Sequence, residues 1–150
     1  MAEHTLKPRI SEEMKDAMRA RDKPRLATIR LIMSEFKRIE VDERIELDDD
    51  RVLVILDKMC KQRRDSIQQF EVANRQDLVD QEKFELTVIA EFMPTSLDES
   101  EINALIAKAI ADTGAESAKD MGKVMAQLKP LIQGRADMTE VSKMVKVELS

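Results

Sequence analysis

The chain has 150 residues, enough for one domain or one domain with a small appendage, and long enough to bury a real core. Hydrophobic residues at 43% beside charged residues at 37% exclude a disordered chain. No apolar run is long enough to span a bilayer, and a net charge of −5 argues against a general nucleic-acid binder, so any phosphate contact must come from local basic patches.

Only 3 Gly and 4 Pro, with no Trp or Tyr and with 10 Met, predict an all-α fold. We expect an N-terminal helical bundle of about four helices over residues 1–94 and a small three-helix C-terminal unit over 95–150. The first helix should start between Thr5 and Pro8 and present Leu6, Ile10, Met14, Ala17 and Met18 on one face. Arg21-Asp22-Lys23 reads as a turn, with Asp22 or Lys23 capping a second helix that runs to about Glu40. Its stripe is Leu26, Ile29, Met33 and Phe36, widened by Leu31 and Ile32. From Lys7 to Arg30 eight Lys or Arg face four Asp or Glu, whereas Asp42 to Asp50 holds six acids and one Arg. The run Asp48-Asp49-Asp50 supplies a cap and a favourable charge for the third helix; it lacks the ligand spacing of a calcium loop.

The third helix should bury Val52, Ile55, Leu56, Met59, Ile67 and Phe70. Lys58, Lys61, Arg64 and Asp65 point away, and Arg63 sits at the edge of the stripe. The helix ends near Ala73, where Asn74 can adopt the left-handed cap. Asp77 then caps a fourth helix through Leu78, Leu86, Ile89 and Phe92; one unbroken helix from Arg51 to Met93 is the alternative. Met93-Pro94-Thr95-Ser96 marks the boundary.

The second unit opens on a capping box, Asp98 with Glu101, and a staple of Leu97 and Ile102. Gly114 ends its first helix and Ser117 caps the next, which carries Gly122 in its interior and a buried stripe of Met121, Val124, Met125 and Leu128. An interior glycine costs about 1 kcal/mol relative to alanine, so close packing or a ligand should offset it. Pro130 acts as a breaker. Asp137 with Glu140 caps the last helix, buried through Val141, Met144 and Val145.

No catalytic constellation emerges. His4, the only histidine, lies in a frayed terminus, so neither Ser-His nor Cys-His chemistry has a base. Cys60 reads as a buried small hydrophobe. As the only cysteine it excludes an intramolecular disulfide; we expect no disulfide-linked partner, and a cytoplasmic location. No charged segment followed by an apolar stretch opens the chain as a secretory leader would. No metal cluster, no cofactor and no exposed aromatic for base stacking are expected.

The run Lys119-Asp120-Met121-Gly122-Lys123-Val124-Met125, then Gly134-Arg135-Ala136-Asp137, Val141-Ser142 and Val145, closely resembles the carboxy-terminal signature of the YqeY family. That family shares this module with the tail of the B subunit of the tRNA-dependent Asp/Glu amidotransferase. A second block, Lys61-Gln62-Arg63-Arg64-Asp65-Ser66-Ile67-Gln68-Gln69-Phe70 with Arg75, Asp77-Leu78 and Pro94, is similar to the family's middle. The family usually has glycine after Gly-Arg-Ala-Asp, where Met138 stands here, so a left-handed turn at that position needs another solution.

In the amidotransferase, glutamine hydrolysis and tRNA phosphorylation lie in other domains and subunits, and the shared tail is associated with gripping the outer corner of the tRNA. The resemblance therefore implies a non-catalytic accessory module that contacts folded RNA, tRNA above all, by shape and phosphate contacts. The positions matching the signature are Gly122, Lys123, Gly134 and Arg135, the glycines for close backbone approach and the cations for phosphate. Lys61, Arg63 and Arg64 form a separate candidate patch. The alternative is a protein-interaction module whose Met-rich helices dock on a partner in aminoacyl-tRNA metabolism. The amidotransferase label itself finds no residues here to carry it.

Overall fold

An abundance of helix formers makes helices the only long elements of residues 3–150, the part described by the computed structural model. The chain divides into two compact units, the first ending at Met93 and the second running Pro94–Ser150. The first contains α1 (Leu6–Arg19), α2 (Lys23–Glu43), α3 (Asp49–Val72) and α4 (Gln76–Ala90); the second contains α5 (Glu99–Thr113), α6 (Met121–Ile132) and α7 (Met138–Glu148). The all-α class is as the composition requires.

In the first unit, Ile10 and Ala17 of α1 meet Ile29, Ile32 and Phe36 of α2, with Val52, Leu56 and Met59 of α3 and Val88 and Ile89 beyond them. Two predicted stripe positions are not part of this core: Met18 and Leu31 are exposed, because each sits one residue off the face that α1 and α2 share. Phe70 is only half-buried, and Val79 and Val88 take the inward places on α4. Asp22 caps α2, accepting the Arg25 N–H at 3.3 Å, and the helix continues past Glu40 to Glu43. Asn74 lies in the left-handed region at φ 57° and separates α3 from α4, so the unbroken helix does not form. Asp77 does not cap α4. The helix starts one residue before it, at Gln76, so Asp77 lies in the first turn, where Arg75 grips it through Nε–Oδ1 at 3.1 Å and Nη2–Oδ2 at 3.0 Å.

The acidic run divides its work. Asp48 caps its own helix, accepting the Arg51 N–H at 2.9 Å. Asp49 caps α1 instead: its Oδ1 accepts the N–H groups of Thr5 and Leu6, each at 2.8 Å, and its Oδ2 accepts the Thr5 hydroxyl. The Asp49 N–H donates to the Glu3 carbonyl at 2.8 Å, and His4 Nδ1 lies 3.2 Å from the Leu47 carbonyl. The terminus around His4 is thus tied down rather than frayed, by bonds across more than forty residues that no local pattern announces.

In the second unit Ile102, Ile106 and Ala109 of α5 pack with Val124, Leu128 and Ile132 of α6 and Val141 and Val145 of α7. Asp98 caps α5 by accepting the Glu101 N–H at 2.7 Å, and Gly114 closes the helix at φ 66°. Pro130 does not break α6. It lies inside the helix, between Leu128 and Ile132, and the burial of both anchors the turn on either side of the missing N–H.

Candidate nucleic-acid interface

The head of α6 is built by the 3-10 turn Ala118–Asp120. Ser117 makes no side-chain cap. Asp120 folds back instead, its Oδ2 accepting the Glu116 N–H at 3.0 Å. That bond, opposed by slight burial and supported by the Ser117 N–H and the charge of Lys123, holds the Asp120 carboxyl below its ordinary value. Gly122 is the second residue of α6, in its first turn rather than its interior. A Cβ built there meets nothing within 4 Å, so no backbone packs against this glycine. Gly122→Ala is accordingly expected to stabilise the fold by up to about 1 kcal/mol, read as a higher urea midpoint at unchanged slope. A lower midpoint would reveal a close approach that the geometry does not contain.

Lys123 follows with its side chain 71% exposed and Nζ 3.9 Å from Asp120 Oδ1. An ion pair this long and this exposed contributes little, so the ammonium is available to a ligand.

The tail of α6 differs. Gln133 leaves the helix in an extended conformation and Gly134 turns the chain at φ 79°, where a side chain would be strained. The Arg135 N–H then donates to the Ile132 carbonyl at 2.7 Å. Arg135 Nε donates to the Thr95 carbonyl at 3.0 Å, and its own carbonyl accepts the Leu97 N–H at 2.9 Å. Arg135 is a clasp on the segment leading into α5, not the freely exposed cation its neighbours in sequence suggest. Gly122 and Gly134 also stand at opposite ends of α6, about 18 Å apart at the rise of an α-helix. The two glycine–cation pairs do not form one compact site. Met138 begins α7 with ordinary helical backbone, since Gly134 alone supplies the left-handed turn between the last two helices.

The middle block separates as well. Lys61 and Arg64 are exposed on one side of α3. Arg63 turns inward, its side chain 15% exposed, with Nε 3.5 Å from Glu85 Oε2 on α4, itself 11% exposed. An inward guanidinium paired across two helices is a structural group, so Arg63 leaves the candidate patch. Glu85 was invisible to periodicity because it breaks the apolar pattern of α4. Its spacing of three and four residues from Glu82 and Ile89 is the signal that could have found it.

A further basic set, not singled out by the sequence reading, lines a trough of about 430 Å³ on α1 and α2: Lys7, Arg30 and Lys37, with Ser34, Met33 and Glu40. The spacing of Arg30, Ser34 and Lys37, four and then three residues, was available as a signal. The expectation that no aromatic is exposed is corrected at Phe84, which is 42% exposed on α4. Cys60 is buried, and burial pushes its thiol pKa up. Among the described residues no group of His, Cys, Asp or Glu is placed to hold a metal ion.

The family model described as Yqey-like protein matches residues 7–149. Altered inheritance of mitochondria protein 41 from Pyrenophora tritici-repentis is 33% identical, over 96% of this chain and 81% of its own length. The proteins of the same name from Lachancea thermotolerans and Kluyveromyces lactis are 33% and 32% identical over 69% of this chain. This chain spans 57% of the length of each of those two. All three relatives are named as mitochondrial, and this overturns the expectation of a cytoplasmic location. That expectation rested on a lone cysteine, which excludes an internal disulfide but does not distinguish among compartments where thiols stay reduced.

Proposed function

The chain belongs to the YqeY-like protein family, and from that premise we propose that it is an accessory module that contacts folded RNA, tRNA first, by shape and phosphate contacts rather than by catalysis. One observation carries the reading: at the head of α6 an exposed Lys123 stands beside Gly122, over which the space for a Cβ is empty. The first N–H of α6, that of Met121, donates to the Ala118 carbonyl of the preceding turn, but the helix start is still the positive end of its dipole. A phosphate oxygen can approach that backbone where no side chain intervenes, and Lys123 adds a full charge. The Asp120 carboxylate, 3.9 Å from Lys123, is turned toward the Glu116 N–H. The mitochondrial naming of the relatives makes a mitochondrial tRNA a suitable member of the test set.

The test uses an unmodified tRNA transcript and two single variants. Lys123→Ala is expected to weaken binding several-fold and to reduce the salt slope by about one unit. Gly122→Leu, whose Cβ meets open space, is expected to weaken binding while the thermal midpoint holds or rises. Wild-type affinity in both folded variants would contradict the reading. Arg135→Ala is unsuited to this test, since loss of the Thr95 clasp is expected to cost about 1 kcal/mol of stability by itself. Binding of a protein partner with little salt dependence, in place of RNA, would establish the interaction-module alternative.

A further inference from the structure

The basic bias of the first thirty residues is largely neutralised within the fold. Lys15 pairs with Glu12, Arg19 with Asp16 and Arg25 with Glu13 and Glu91, while Arg9 lies over the Phe92 ring at 5.5 Å. Arg30 is different. Together with Lys37 it has no carboxylate within ion-pair distance among the described residues, and both are exposed on the same side of α2. They share the 430 Å³ trough with Lys7, whose Nζ is 2.6 Å from Glu40 Oε1. Three cations therefore line it against one carboxylate, and that carboxylate is already paired.

The contrast with the neighbouring groove of about 250 Å³ between α2 and α3 is instructive. There Glu35, Asp42 and Glu43 balance Arg38, Arg51 and Lys58. Arg38 pairs with Glu35 and Asp42, and Arg51 with Glu43, so that groove is closed on itself. Of these two, the trough on α1 and α2 is the one with positive charge left over.

We infer that this trough is a second contact for the phosphate backbone of the RNA, made by Arg30 and Lys37 with the Ser34 hydroxyl between them. The inference rests on the RNA reading above and adds a site in the first unit. Arg30 and Lys37 are seven residues apart, about 10 Å along the helix, which is too far for one phosphate and suits an extended polyanion. Arg supplies a fork for phosphate oxygens, Lys a point charge and Ser34 a neutral donor. Met33 is the only apolar side chain in the lining, whereas an acidic peptide would require a buried apolar anchor to hold its register. Among the described residues no aromatic lines the trough, which favours backbone contact over base stacking there.

The test compares the full chain, Arg30→Ala/Lys37→Ala and Lys123→Ala on an unmodified tRNA transcript, with poly-L-glutamate as a second polyanion and circular dichroism as the folding control. Alanine is well tolerated at exposed helix positions, so the double variant should fold. The expected result is a loss of about two units of salt slope in the double variant, with at least tenfold weaker binding at moderate salt. Wild-type slope and affinity in the double variant, with Lys123→Ala still impaired, overturns the trough and leaves the α6 site standing. The converse pattern supports the trough and overturns the α6 site. Poly-L-glutamate binding that exceeds tRNA binding and depends on Arg30 and Lys37 overturns the choice of RNA, and a wild-type chain that binds no tRNA overturns both sites.

Discussion

Glu85→Ala is expected to lower the stability of the first unit by roughly 2–3 kcal/mol, because it removes the nearest counter-charge of the inward guanidinium of Arg63 and leaves only the more distant Glu82 and Glu35. Removing one partner of a buried pair costs about 3–5 kcal/mol where geometry is good. Here the two groups are 3.5 Å apart and Arg63 Nε makes no hydrogen bond, which sets the estimate below that range. Glu82 tempers it further. Burial, and then the charge of Glu85, push the Glu82 carboxyl above its ordinary value, so removing Glu85 relieves a repulsion as well. The measurement is urea unfolding of three variants. Glu85→Ala should shift the midpoint strongly. Arg63→Met with Glu85→Met should recover much of the loss, since an apolar pair of similar volume suits a site between packed helices. Lys61→Ala with Arg64→Ala should stay within about 0.5 kcal/mol. An Arg63 variant that folded normally but bound RNA more weakly would return Arg63 to the candidate patch.

Asp49→Ala is expected to cost about 2 kcal/mol, more than a single helix cap usually does, since one carboxylate accepts from two backbone N–H groups and a hydroxyl at the start of α1. Its pKa gives the variant a signature. Burial alone would raise it, but the Leu6 N–H, the Thr5 hydroxyl and the Thr5 N–H outweigh burial, with the charge of His4 adding to them, and the folded value lies below the ordinary one. A carboxyl lowered in the folded state stabilises the protein above its unfolded pKa and loses that contribution as pH falls through the folded value. The gap between wild type and variant should therefore be full at neutral pH and close as pH drops below about 4. A gap that stayed constant into strong acid would mean that Asp49 acts through packing and not through its charge.

These two side chains also show where the sequence was readable. The helices, the Asn74 break and the caps at Asp22, Asp48 and Asp98 all follow from spacing within a few residues, and the structure has them. What local pattern cannot contain is the choice among partners. Asp48 and Asp49 are the same residue side by side, yet one caps its own helix and the other reaches α1. Asp77 reads as a cap, but α4 starts at Gln76, so Asp77 falls inside the first turn and pairs with Arg75. The candidate site is mixed for the same reason. Lys123 and Arg135 each follow a glycine in the signature, but one is exposed with only a long ion pair to Asp120 and the other clasps Thr95. Arg63 and Arg64 are adjacent, so a helix turns them about 100° apart, one toward α4 and one to solvent. The basic trough lies almost wholly on α2, where the spacing of Arg30, Ser34 and Lys37 was legible, but their lack of acidic partners, which sets them apart, is visible only in the fold.

The most direct measurement of the central claim, that this chain holds folded RNA through phosphate contacts, is the salt dependence of its affinity for a tRNA transcript between about 50 and 200 mM. With Lys123, Arg30 and Lys37 as contacts, the plot of log affinity against log salt should be linear with a slope of about −2 to −3. A slope near zero, or no binding at the low-salt end, would contradict the account.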